Sequence, residues 1–329
     1  MAELKQTKGY ASFRGILGGL DRTVGDIAEG KSNKNYSNTD KIKKLKFSIK
    51  TSDDNVHFVD VTQFKTGKSM DKAYISKRDA DTGKYETQAI SWSDRNKELQ
   101  DGWNLIGISL KSSDDENTKN MVAFDAIDYI LENFKDGDSV FLNADITHSD
   151  YNENRYVNYG VKKMFASKSD IEFEAEDFEE QADFEETIIF NTCYPDENGL
   201  QVLAYAVDYS KSPIEIEFVV KNEDKEVMEY VESNLSNGDL VTVAGLINNR
   251  VVYEWTEIPQ ETEDDGFKTI GRKTKTEGNK SKPKREKNII SEDKSIQIIG
   301  LDPDSIKSGL YSEEDFMESD ESSLDLPFW

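Results

Sequence analysis

The side chains able to do chemistry are unevenly supplied in this chain. It has two histidines, His57 and His148, and one cysteine, Cys193, against 66 Asp and Glu. Two histidines without cysteine partners or ligand spacing make no zinc site, and a single cysteine closes no internal disulfide. There is no glycine-rich phosphate loop and no Ser, His, Asp constellation, and no carboxylate spacing singles out an acid–base pair. Catalysis has no recognisable starting point, so the expectation is a protein that is not an enzyme and needs no metal or cofactor. What stands out is a set of cations interleaved with aromatics in the first half: Arg14, Lys44, Lys46, Phe58, Phe64, Lys65, Tyr85, Trp92, Tyr156 and Lys162. Cations neutralise phosphates, and aromatic faces stack on bases at about 1–3 kcal/mol per base. These residues are the candidate contacts for single-stranded DNA. The competing reading makes the lysines an ordinary solvated face and lets Trp92 pack an insert onto its neighbour.

The elements that must position this set are written twice. I-D-Y-I-L-E-N-F-K-D-G-D-S-V-F-L-N-A-D-I begins at Ile127, and M-E-Y-V-E-S-N-L-S-N-G-D-L-V-T-V-A-G-L-I begins at Met228. The offset superimposes Tyr129 on Tyr230, Gly137 on Gly238, Asp138 on Asp239 and Val140 on Val241. Each copy has apolar residues at helical spacing up to a Gly-Asp stop, then switches to a period of two. A turn and another strand follow, over Arg155–Lys163 in one copy and Arg250–Ile258 in the other. Helix, Gly-Asp turn, strand, turn, strand is the second half of an OB-fold. Upstream of the first copy, 10–20, Ile42–Lys50 and Val56–Phe64 alternate as three strands, which puts His57, Val59 and Val61 inward and exposes Phe58 and Phe64. The expected fold class is mostly β with short helices: two tandem OB-fold barrels followed by a disordered tail.

Composition draws the boundaries. The chain is 36% hydrophobic and 33% charged, with a net charge of −25 over 329 residues, too polar for one large core. Residues 1–169 carry 26 basic and 26 acidic side chains, whereas 170–329 hold 15 and 40. The reading is a first OB-fold over 1–169, with an inserted hairpin at about 65–102. An acidic linker follows at 170–186 and a second OB-fold at 187–258. A basic, largely disordered linker covers 259–312, and an acidic tail covers 313–329. No apolar run reaches spanning length, which predicts a soluble, cytoplasmic protein with no membrane partner.

The tail ends Asp325-Leu326-Pro327-Phe328-Trp329, with Glu318, Asp320 and Glu321 upstream. An OB-fold followed by an acidic tail closing on Pro and an aromatic resembles the bacterial and phage single-stranded-DNA-binding proteins. The tandem barrels suit a divergent phage-type member in a bacterial or phage-infected host cell. The resemblance implies sequence-independent binding and protection of single-stranded DNA in replication, recombination or repair. It also implies that the tip, Asp325 to Trp329, recruits replication or repair proteins. Here Trp329 follows the Phe that usually ends the pattern. The rival is an OB-fold protein–protein adaptor or scaffold component that binds no nucleic acid.

Overall fold

The duplicated stretch folds the same way twice. Helix α1 spans Ala123–Asn133 and α2 spans Lys225–Asn234. Beyond each lies a glycine at positive φ, 96° at Gly137 and 84° at Gly238, where a side chain would be strained. The Asp138 carboxylate accepts the Lys135 backbone N–H at 3.0 Å, and Asp239 accepts that of Ser236 at 2.9 Å. The Gly137 N–H donates to the Leu17 carbonyl and the Gly238 N–H to that of Phe190, both at 2.9 Å. The Gly-Asp turn therefore docks each helix end onto its own barrel's first strand. The computed structural model describes residues 4–21, 35–65, 68–151, 154–257, 285–312 and 315–316.

The first half contains β1 (Gly9–Gly18), β2 (Tyr36–Asn38), β3 (Ile42–Lys50), β4 (Val56–Phe64), β5 (Lys72–Arg78), β6 (Tyr85–Ser91), β7 (Asn104–Leu105), β8 (Ile108–Lys111), β9 (Lys119–Met121), β10 (Ser139–Tyr151) and β11 (Asn154–Ala166). Strands β1, β3, β4, β11 and β10 close on one another, with β4–β11 the parallel pair and α1 between the third and fourth strands. That is an OB barrel. After Asp60, β4 parts from β11 and β8 takes its place in parallel register. The chain between them forms the separate sheet β6-β5-β7. Phe13, Phe47, Ile49, Val61, Ile127, Leu142 and Met164 fill the core, and Phe58 and Phe64 face outward.

The second half contains β12 (Gln181–Pro195), β13 (Gly199–Val207), β14 (Pro213–Lys221), β15 (Leu240–Ile247), β16 (Arg250–Glu257), β17 (Arg285–Asp293) and β18 (Ile296–Lys307). Strands β12, β13, β14, β18 and β15 close a second barrel of the same topology, with β14–β18 parallel. Three expectations are corrected here. The fifth strand is β18, not residues 250–257, which pair instead with β17 as an arm between β15 and β18. Residues 285–312 are thus not an unfolded linker: Gln297 and Ile298 are buried in the closing strand. The acidic stretch 170–186 is likewise no free linker beyond Gln181. Ala182 and Phe184 alternate into the core, which outweighs repulsion among the exposed acids. The remaining run 258–284, residues 22–34 and the acidic end 317–329 lie outside the described residues.

The barrels join through their first strands. β1 and β12 pair antiparallel from Gly9↔Glu186 to Arg14↔Gln181. A polar network tightens the seam. Arg250, from the second barrel's arm, donates to Asp54 at 2.6 Å and to Glu180. Thr51 and Asn55 also donate to Glu180, at 2.9 and 2.8 Å, and the Asn249 backbone N–H reaches the Asn55 side-chain oxygen at 2.8 Å. Burial raises the Asp54 and Glu180 pKa values, but the Ser52 hydroxyl and Arg250 at Asp54, and Arg250, Asn55 and Thr51 at Glu180, outweigh it and hold both below the ordinary carboxylate values. His57, beneath the network and beside Thr51, is lowered to about 4, chiefly by burial.

These shifts set an acid limit. The unfolded chain binds a proton at His57 from about 6.5 downward and the folded chain only from about 4, so stability falls with pH across that window, by about 3 kcal/mol in all. The Asp54 and Glu180 contributions are full above 3.8 and 4.5, their ordinary values, and are lost as pH falls through the depressed folded values. Thermal midpoints measured from pH 7 to pH 4 should decline progressively, and His57→Phe should flatten that decline.

Candidate nucleic-acid interface

The strand 2–3 surface is the face an OB-fold uses for oligonucleotides, and joining the first strands turns the two such surfaces toward each other. On the first barrel, β3 alternates Lys44 and Lys46 outward against Leu45 and Phe47, and β4 alternates Phe58 and Asp60 outward. The β10–β11 hairpin adds Arg155, Tyr156 and Asn158. On the second barrel, Gln201 of β13 and Glu215, Glu217 and Lys221 of β14 form the opposite wall. Together they line a cleft of about 1140 Å³.

The walls differ in charge. On the first, Lys44 is 3.3 Å from Asp60, while the Lys46 ammonium lies over the Phe58 ring, 5.6 Å from its centroid, with no acid partner among the described residues. Phe58 is 55% exposed and Tyr156 47%, so two aromatic faces stand open beside three cations. On the second wall the cations are engaged, Lys221 with Asp293 at 3.4 Å and Lys294 with Glu292, and Glu217 is exposed. Among the described residues, the ion pair Arg155–Glu215 bridges the walls. At the base, His148 bonds Glu186 at 2.7 Å, and Glu186 is 2% exposed. Burial and the Glu186 charge push the Tyr159 hydroxyl well above the ordinary tyrosine value.

The structure gathers Lys44, Lys46, Phe58 and Tyr156 into this cleft and leaves the other predicted contacts elsewhere. Phe64 is exposed at the far end of β4. Lys65 donates to Asn38 at 2.5 Å and lies over Phe124. Arg14 sits half-buried on β1, in register with Phe141 and Gln181. Lys162 pairs with Asp145 at 2.9 Å, and Tyr85 is on the outlying β6. Trp92 corrects the expectation of an outward ring. It meets Phe124 edge-on at 6.2 Å and carries the Arg95 guanidinium 4.5 Å above it, so it ties the insert to the barrel. The predicted partner-binding residues Asp325, Leu326, Pro327, Phe328 and Trp329 lie outside the described residues. Sequence reading missed Arg155 and the whole second wall. The signal for Arg155 was its place at the head of the expected strand Arg155–Lys163, next to the candidate contact Tyr156.

The packing of Trp92 is directly testable. Trp92→Ala should cost about 3 kcal/mol in chemical denaturation, whereas Tyr85→Ala should change stability by less than about 0.5 kcal/mol.

A family model described as YorF matches residues 106–325. A crystal structure of wild-type single-stranded DNA binding protein from Thermus aquaticus is similar over 76% of this chain and 87% of that chain, at 9% sequence identity and a TM-score of 0.34. No curated protein matches the chain.

Proposed function

The chain belongs to the YorF family, and from the cleft between its barrels we propose that it binds single-stranded DNA without base-sequence specificity. One observation carries the reading: Lys44, Lys46 and Arg155 converge with the open rings of Phe58 and Tyr156 on one wall. Cations tracking phosphates beside aromatic faces are what a single strand needs, because every base offers a face to stack. The protein acts by holding and protecting the strand, not by catalysis. Its setting is replication, recombination or repair, where the acidic tip from Asp325 to Trp329 recruits partner proteins.

The opposing wall makes binding an exchange. Arg155 is neutralised by Glu215 in the free protein, and an incoming phosphate takes the place of that carboxylate. Affinity therefore depends on competition inside the cleft as well as on counterion release, which contributes a salt slope of about −0.7 per phosphate neutralised.

The test is a titration of the protein with single-stranded and duplex oligonucleotides across salt concentrations. A strand preference with a negative salt slope is expected, and absence of any complex at low salt favours a protein–protein adaptor instead. Phe58→Ala and Tyr156→Ala should each weaken strand binding by about 1–3 kcal/mol with the thermal midpoint little changed, since both rings are exposed. Glu215→Gln should act in the opposite direction and tighten binding, most at low salt, where the Debye length is about 30 Å. Weaker binding by that variant removes the exchange mechanism.

A further inference from the structure

The cleft leaves a second aromatic and cationic surface unused. It lies on the insert. In the β5–β6 pair, Ala73 and Ile75 point inward with Ile90 to the small core that also holds Leu105 and Trp92. The outward face follows from the register: Lys72 opposite Ser91, Tyr74 opposite Ala89, Ser76 opposite Thr87 and Arg78 opposite Tyr85. Directly paired residues share a face of the sheet. Tyr74 is 52% exposed and Tyr85 70%. Glu86, the one acid on either strand, pairs in register with Lys77 and so belongs to the inward side.

We propose that this outward β5–β6 face is a second contact surface for the single strand held in the cleft, so that one strand runs from the inter-barrel cleft onto the insert. The inference rests on the proposed strand binding and assigns its extent. Three features favour this occupant. The face carries Lys72, Arg78 and two open tyrosines with no carboxylate among them, which suits a polyanion bearing planar groups. Tyr74 and Tyr85 sit on adjacent strands four residues out of register, about 14 Å apart along the sheet at 3.4 Å per residue, so they receive separate bases. Arg78 lies beside Tyr85, its Nε 3.4 Å from the Gly83 carbonyl, a position for a phosphate next to a stacked base. β4 carries Phe58 in the cleft, its outward face ends at exposed Phe64, and the insert follows β4 in the chain. Apart from the two tyrosines, the β5–β6 face offers only Ala89 as an apolar side chain, so an acidic peptide finds charge there but no aliphatic anchor.

The experiment compares oligothymidylates of about 8 and about 30 nucleotides, lengths that bracket single-barrel and extended sites, on the full chain. Two double variants are used, Tyr74→Ala with Tyr85→Ala and Lys72→Gln with Arg78→Gln. The expected result is a loss of about 30-fold or more on the long strand for the tyrosine variant, from two stacked bases, with short-strand affinity within about twofold of wild type. The charge variant should lower the salt slope on the long strand only. Undiminished long-strand affinity overturns the inference, and capture of polyglutamate by wild type but not by the variants then assigns the face to an acidic protein partner. Equal losses on both lengths also overturn it, since the face is then not separate from the cleft. If wild type binds neither strand, the proposed function itself fails along with this extension.

Discussion

Everything in this molecule hangs on the antiparallel pairing of β1 with β12. Each first strand divides its hydrogen bonds. Residues 9–14 of β1 pair with β12 and residues 16–18 with β3, while residues 181–186 of β12 pair with β1 and residues 189–195 with β13. An OB barrel's first strand must bend to serve two neighbours, and here the leading half of each bend is given to the other barrel. The result is a pseudo-twofold relation in which the connection between each barrel's fourth and fifth strands reaches the other's strand 2–3 region. Arg155 meets Glu215 in one direction and Arg250 meets Asp54 in the other.

That relation accounts for an acidic second barrel in the proposed nucleic-acid site. A wall carrying Glu215 and Glu217 repels phosphate when considered alone. Placed across from Lys44, Lys46 and Arg155, it pairs Glu215 with Arg155 and leaves the rings of Phe58 and Tyr156 exposed. The second barrel is then part of the proposed site, in which affinity follows the difference between two ion pairings and not the cation count.

The extra strands are placed where closure of the barrels permits. The insert leaves the first barrel where β4 parts from β11 and β8 takes over, so it interrupts the third strand without breaking the ring of pairings. The β16–β17 arm likewise occupies the connection between the fourth and fifth strands of the second barrel. Gly245 marks the cost of closing beyond it. A Cβ there would lie 1.8 Å from the Gln297 carbonyl oxygen, so close approach of β18 to β15 demands glycine at that position.

The sequence by itself determined the repeated half-barrel, because the helix, the Gly-Asp stop and the switch to a period of two are local patterns imposed by backbone geometry. It also determined which face of β3 and β4 is wet, since alternation sorts Lys44, Lys46 and Phe58 from Leu45, Phe47 and Val59. Only the tertiary structure decided that β18 closes the second barrel, for its pairing with β15 spans some fifty residues and its own pattern of Gly300, Pro303 and scattered acids is a poor strand signal. Only it turned Trp92 inward, because the ring's partner, Phe124, lies on a different element. The cleft itself was beyond sequence reading for the same reason. Periodicity assigns a residue to a face of its own strand, while which two faces meet depends on the β1–β12 register, a contact between segments some 170 residues apart.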